Sequence, residues 1–314
     1  MSHCLISFGA NLGDRVPALC SAATAVLDSG IVARGFLASR LFETPPIGGP
    51  GNQGQFVNAV AAFETDSDAM TLLRALQSIE LDLGRTRHRR WDARSIDLDV
   101  VLFGNLMGGK PDLTVPHPRY TARTFVVQPA CDIVADWIDP RFGWSMSRML
   151  RHLQSAAPSM LLTGGTDQER YELCDRITAS QSDSIAIYRD ALPPQDEIDA
   201  NPDRPWIATG SEFLIDAATR GDKQSAAQFT LPRVMARLVR RTPETRWPSP
   251  HQLWPNRSRW PEYVLELDSD GGMAWAAAEI LSGIESMRCP LSPMHDQTQW
   301  RAATGDGVTS ATNE

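Results

Sequence analysis

Arg85-Thr-Arg-His-Arg-Arg-Trp-Asp-Ala-Arg-Ser-Ile-Asp-Leu-Asp-Val-Val-Leu-Phe-Gly104 is the stretch on which the reading of this chain turns. Ser95 to Gly104 is patterned as a strand. Side chains alternate along a strand, so Ile96, Leu98, Val100 and Leu102 point one way, and Asp97, Asp99, Val101 and Phe103 the other. Asp97 and Asp99 then share a face, about 6–7 Å apart. Two carboxylates so close repel each other, and a cation between or beside them removes that cost. Mg²⁺ suits the position, because it takes one or two protein carboxylates and fills its shell with phosphate oxygens. A lone Asp-x-Asp would be no more than a solvated face. Here five guanidinium groups, Arg85, Arg87, Arg89, Arg90 and Arg94, lead directly into it, with His88 among them. Arginine offers phosphate a planar fork and keeps its charge. Cations beside a metal-binding pair make a site for a polyphosphate. Trp91 lies within the run; it either closes over a bound ligand as a lid or anchors the loop to the core.

Outward from this stretch, His3 to Phe8 predicts a strand that ends at Gly9-Ala-Asn-Leu-Gly13, and Val16 to Leu27 predicts a helix ended by Gly30. Ile31 to Phe42 predicts one strand, stopped by Thr44-Pro45-Pro46-Ile47-Gly48. Phe56 to Thr65 predicts the next, antiparallel to it. Leu72, Leu73, Leu76, Ile79 and Leu83 share one face of a helix over 68–83, capped by Asp66 or Ser67. Further helices are expected within 121–134 and over 146–154. Strands and helices mixed without a strict βαβα rhythm predict an α+β sheet with helices packed on it. After residue 157 the pattern restarts: strands over 159–163, 184–188 and 263–267, helices over 168–177, 231–239 and 273–287. Three Trp-Pro pairs, at Trp247, Trp254 and Trp260, interrupt the segment from Thr242 to Tyr263. They predict a surface loop tucked down by tryptophan, or else a lid or docking loop. The expected organisation is residues 1–157, a smaller α/β domain over 158–290, and a disordered polar tail over 291–314.

The chain has 314 residues, 42% hydrophobic and 22% charged, with a net charge of −8. That composition is ordinary for a soluble globular protein. The acidic balance excludes a broad nucleic-acid-binding surface, and no stretch nears the ~18 apolar residues needed to span a bilayer. The five cysteines are scattered, with no Cys-x-x-Cys pair, as expected of free thiols in the cytoplasm.

Over about residues 1–155 the chain resembles the 6-hydroxymethyl-7,8-dihydropterin pyrophosphokinases. The matching pieces run in order: Ser7 to Gly13; Glu43 to Gly48; Phe56-Val57-Asn58-Ala59; Ile79-Glu80; Gly84-Arg85; Arg90-Trp91 with Arg94 to Asp99; Leu102-Phe103-Gly104; and Val115-Pro116-His117-Pro118-Arg119, followed by Arg123 and Phe125. The resemblance implies a ferredoxin-like sheet with helices on both faces. It implies transfer of pyrophosphate from ATP to the hydroxymethyl-pterin, a folate-pathway step with AMP as the other product. By the same resemblance Asp97 and Asp99 bind two Mg²⁺ ions, and Arg85 and Arg94 are catalytic. Gln77, Glu80, Arg90, Trp91, His117 and Arg123 serve the nucleotide. Phe56 and Phe125 sandwich the pterin, and Asn58 with Thr44, Pro45, Pro46 and Ile47 reads its edge. The partners implied are small molecules, with neither nucleic acid nor membrane among them.

In the second half, Gly164-Gly165-Thr166-Asp167-Gln168-Glu169-Arg170-Tyr171 stands where a phosphate loop would read G-x-x-x-x-G-K-[ST]. Glu169, Arg170 and Tyr171 replace Gly, Lys and Ser/Thr. The stretch weakly resembles a degenerate nucleotide-kinase-like domain; an unrelated α/β domain with a glycine turn is the other reading. Neither reading supports a second activity; the alternative for this half is a non-catalytic regulatory or scaffolding domain, its protein partner unspecified.

Overall fold

The computed structural model describes residues 1–48, 53–85, 94–110, 112–181, 184–211, 214–215, 229–240, 260–267 and 272–305. Its first sheet is made by β1 (Ser2–Ala10), β2 (Arg34–Ala38), β3 (Phe42–Thr44), β4 (Phe56–Thr65) and β5 (Asp97–Phe103); α1 (Arg15–Asp28) follows β1, and α2 (Ala69–Asp82) precedes β5. β1 lies between β4 and β5, antiparallel to both. β2 and β3 pair in turn with the far edge of β4, also antiparallel. With β2 and β3 counted as one interrupted strand, this is the β-α-β-β-α-β ferredoxin-like arrangement. A short hairpin, β6 (Gly108–Lys110) and β7 (Leu113–Val115), follows β5.

Both faces of the sheet are covered, which is why β1 and β4 are apolar at nearly every position. Ile6, Phe8, Ala59 and Ala61 meet Leu19, Ala22, Leu72 and Leu76 of α1 and α2. Their neighbours Leu5, Val60, Ala62 and Val101 point the other way. They pack on Val126, Val127 and Ala130 of α3 (Thr124–Val134). The strand expected over 31–42 is broken at Ser39–Leu41, because Arg40 turns aside to give Asp132 of α3 two side-chain hydrogen bonds, at 2.9 and 2.8 Å. The cap of α2 is Asp68, not Asp66 or Ser67; its carboxylate accepts from the N–H groups of Met70 and Thr71.

After α4 (Met146–Gln154) comes a five-stranded, all-parallel sheet: β8 (Ser159–Gly164), β9 (Ala186–Tyr188), β10 (Trp206–Thr209), β11 (Val234–Val239) and β12 (Glu262–Glu266), in the order β12-β11-β8-β10-β9. Helices α5 (Asp167–Gln181), α6 (Gln195–Ala200) and α7 (Gly272–Met287) accompany it. The helix expected over 231–239 is strand β11. A central parallel strand is buried on both faces, so its sequence is a continuous apolar run, which periodicity cannot tell from a buried helix. One core cluster joins Val126, Met149 and Leu153 of the first half to Met160, Leu161 and Ile284 of the second.

Of the tail expected to be disordered, residues 306–314 lie outside the described residues, and the part before them is built into the fold. β13 (Ser292–Pro293) adds to the outer edge of β3, and α8 (Thr298–Thr304) buries Trp300 completely against the first sheet. Trp300 packs edge-on to Phe8, and its Nε1–H donates to Ser39 O at 2.8 Å. A polar tail with one tryptophan looks disordered by composition; that side chain and Gln297 supply what composition does not show. Of the Trp-Pro segment, residues 241–259 lie outside the described residues. Trp260 is buried, its indole N–H given to Pro232 O, which fits the tucked reading at that position. Among the described residues no helix is long and apolar enough to cross a membrane.

Candidate active site

β5 presents Asp97 and Asp99 on its more open face, with Leu98 buried between them. Asp97 Oδ1 lies 2.8 Å from Arg85 Nη1, and its Oδ2 takes the guanidinium of Arg94. Asp99 Oδ2 faces Arg123 Nη1 at 3.5 Å and His117 Nε2 at 3.7 Å. The turn after β1 sets Arg94 in place. The N–H groups of Asn11 and Leu12 donate to Arg94 O at 3.0 and 3.2 Å, and Asn11 Oδ1 accepts from Arg94 N at 2.6 Å.

Behind the pair stands Glu80, buried on α2. Its Oε1 accepts from Leu98 N at 2.7 Å and from Arg85. Burial raises its carboxyl pKa, with the Leu98 N–H and Arg85 pulling the other way. Gln77 is one turn earlier on the same helix, half-buried. His117 is fixed by its own backbone N–H, donated to Val101 O at 2.9 Å, and by Nδ1, which accepts from Arg119 N at 3.1 Å. Its proton therefore sits on Nε2, toward Asp99. Burial, followed by the charges of Arg123, Arg119 and Arg141, holds its pKa well below the usual range. The ring is neutral at pH 7.

One cavity brings the two halves of the site together. Both carboxylates, Arg94 and Arg123 line it along with Phe56, Phe125, Asn58, Thr44, Pro45 and Ile47. It encloses about 140 Å³, room for roughly ten waters at 10–15 Å³ each, a size suited to one small planar heterocycle. Asn58 Nδ2 donates to Thr44 Oγ1 at 2.9 Å, leaving its carbonyl and second N–H available. A Cβ at Gly9 would lie 3.4 Å from Asn58 Oδ1, in van der Waals contact with the amide.

Not every expected residue is on the cavity wall. Gln77, Glu80, Arg85 and His117 stand outside the lining, Glu80 and Arg85 as supports for Asp97 and Leu98. Pro46 is exposed and also absent from the lining. Arg90 and Trp91 lie outside the described residues. The sequence reading missed Ser7, Phe8, Gly9, Gln53, Val126, Ser282 and Ser286 as lining residues, the first three quoted only as part of a matching segment. Ser282 and Ser286 come from α7, beyond the reach of any local motif.

The description 7,8-dihydro-6-hydroxymethylpterin-pyrophosphokinase (HPPK) matches residues 5–135. A 2-amino-4-hydroxy-6-hydroxymethyldihydropteridine pyrophosphokinase of Pseudomonas aeruginosa is 39% identical over 134 residues, 42% of this chain and 80% of that protein. The chain belongs to the HPPK family. An HPPK of Bacillus subtilis is 38% identical over 128 residues, 41% of this chain and 75% of its own length. A solved structure of Plasmodium falciparum HPPK-DHPS aligns over 91% of this chain and 84% of that one, at 11% identity and a TM-score of 0.38. The residues matched by the family, 5–135, fall in the ferredoxin-like half, and every cavity residue but Ser282 and Ser286 lies within them.

The glycine turn of the second half is filled by its own side chains. Arg170 donates to Gly164 O at 2.5 Å and Gly165 O at 3.3 Å and pairs with Asp167. Glu169 accepts from Thr166 N at 2.7 Å and pairs with Arg240. A Cβ at Gly164, where φ is +67°, would fall 2.5 Å from Leu238 O.

Proposed function

We infer that the chain transfers pyrophosphate from ATP to 6-hydroxymethyl-7,8-dihydropterin, releasing AMP, as a step of folate synthesis in the cytoplasm. The observation that carries this is the single cavity in which Asp97, Asp99, Arg94 and Arg123 meet Phe56, Phe125 and Asn58. Aromatic faces hold a flat heterocycle, and a few polar groups read its edge. Phe56 and Phe125 flank the pterin; Asn58, held by Thr44, meets its hydrogen-bonding edge, with Pro45 and Ile47 beside it.

Two oxygen donors on one face of β5, with cations flanking them, suit Mg²⁺, and we assign Asp97 and Asp99 as the holders of two such ions. Bound there with ATP, the metal supplies charge neutralisation along the phosphates. The chain's own contribution is to position and to balance charge. Arg94 and Arg123 meet phosphate oxygens, and Arg85 and Glu80 keep the start of β5 in place. His117, neutral, offers a hydrogen bond from Nε2 without adding charge. The pterin hydroxyl oxygen bonds to the β-phosphorus as the bond to the α,β-bridging oxygen breaks, so AMP leaves. The catalytic set implies no covalent enzyme intermediate. We further read the second half as kinase-like in ancestry and without catalysis; the parallel sheet and the glycine turn occupied by Arg170 support this.

The test is AMP release from full-length protein with the pterin, ATP and Mg²⁺. Wild type should give pterin-dependent AMP, and the double substitution Asp97→Ala, Asp99→Ala should lower it by at least roughly 10²–10³-fold. Folded wild-type protein that releases no AMP would refute the assignment.

A further inference from the structure

Ser282 and Ser286, four residues apart on α7, share one helix face and line the same cavity as Phe125, Val126 and Asp97. They belong to the second half, well outside the residues that match the family. The helix is held over the cavity by named bonds. Arg119 Nη1 meets Glu279 Oε1 at 2.6 Å, and Tyr263 Oη donates to Glu279 Oε2 at 3.0 Å. Thr124, between Arg123 and Phe125, donates its hydroxyl to Ser286 O at 2.7 Å. The helix is thus tied to the same short segment that carries three of the cavity's side chains, Arg123, Phe125 and Val126.

The chain beyond α7 continues along the same site. The Cys289 carbonyl oxygen lies 3.5 Å from the hydroxyl of Thr124, the neighbour of Arg123 and Phe125. Met294 N donates to Leu41 O and Gln297 Oε1 accepts from Leu41 N, each at 3.0 Å, so the backbone just before β3 is bracketed on both of its polar groups.

We propose that α7 is a wall of the pterin site, with Ser282 and Ser286 setting the shape and polarity of the side of the cavity next to Phe125, so that the second half takes part in substrate selection. This rests on the reading of the cavity as the pterin site. On it, a bulky apolar side chain at 282 occupies space the heterocycle uses, while the phosphate-facing arginines and carboxylates are untouched. Ser282 is only half-buried, so the substitution is made where the fold tolerates it.

Full-length Ser282→Leu and Ser282→Ala are compared with wild type by steady-state kinetics and by fluorescence titration with 6-hydroxymethylpterin. Ser282→Leu should raise KM for the pterin at least tenfold, with KM for ATP and kcat within threefold; Ser282→Ala, which removes the hydroxyl and takes up no space, should raise the pterin KM by only about two- to fivefold. A leucine variant with unchanged pterin KM would overturn the proposal. Ser282→Cys, close to isosteric, keeps the test valid if leucine unfolds the protein. Alkylation of the introduced thiol by iodoacetamide, read by peptide mass, should slow at least fivefold when 6-hydroxymethylpterin is saturating. Turnover in wild type without such protection sinks the wall alone, whereas wild type that neither binds the pterin nor releases AMP sinks the pterin reading itself.

Discussion

Glu80→Gln should be nearly neutral for stability, whereas Glu80→Ala should cost about 2–4 kcal/mol. The Glu80 carboxylate sits 2% exposed, bonded to Leu98 N–H at 2.7 Å and to Arg85. A buried charge is expensive even when paired, and here burial wins, since the carboxyl pKa is raised in the fold. A raised carboxyl pKa means that the ionised form is less favoured folded than unfolded, so the charge itself lowers stability at pH 7. Glutamine keeps an oxygen for Leu98 N–H, and Arg85 keeps Asp97 at 2.8 Å. The expected change is within about 1 kcal/mol of wild type. Alanine strands the Leu98 N–H between the two aspartates, about 1–3 kcal/mol, and removes buried methylene packing worth roughly 1 kcal/mol. Urea unfolding at pH 7, compared at the midpoint with slopes checked for equality, measures both. If glutamine destabilised as much as alanine, the ion pair with Arg85 and not the backbone bond would be the main contribution of Glu80, and the reasoning would fail.

His152 gives a pH prediction. Burial, with Arg233 adding to it, lowers its pKa from 6.5 to about 4, in a niche between Trp144 and Trp260. The unfolded chain takes up this proton near pH 6.5 and the folded protein only near 4, so stability from this group is full above 6.5 and falls as the pH drops through that window, by about 3 kcal/mol. His152→Phe should remove that part of the slope; equal slopes from pH 7 to 4 in both proteins would refute it. Gly164→Ala should destabilise the protein by more than about 2 kcal/mol, from a left-handed backbone and the close carbonyl of Leu238. A melting curve unchanged in the alanine variant would show that β8 and β11 are less tightly apposed there.

The elements nearest the chemistry were the most legible. The period-two pattern over 95–104 and the glycines flanking Ala10-Asn11-Leu12 are local facts, and β5 and the turn that grips Arg94 follow from them. The strand over Ile31 to Phe42 was legible as a strand but not its interruption, because Arg40 leaves it for a partner on α3 that no window includes. β11 was misread since burial on two faces erases the period that tells strand from helix. In the site, Asp97 and Asp99 could be read from the alternation along one strand, whereas Phe56, Asn58 and Phe125 came only from the resemblance to the family. Ser282 and Ser286 came from neither, because serine on a helix carries no mark of what the helix faces. The tail was misjudged on composition, where one tryptophan and one glutamine outweigh a polar background.

The seating of the tail on β3 has a consequence for how the protein is made. Leu41 and Gln297 are bonded across 256 residues. At about 5–20 residues per second on the ribosome, roughly 10–50 s separate their synthesis. Throughout that interval the outer backbone of β3 has no β13 beside it, and an open strand edge recruits other chains. The nascent protein thus carries a temporary adhesive border on its first sheet, sealed only once Ser292 to Gln297 have emerged. A ribosome stalled in the second half would hold that border open, and the molecules it left behind would be expected to aggregate through β3, the strand that brings Thr44 to the cavity wall.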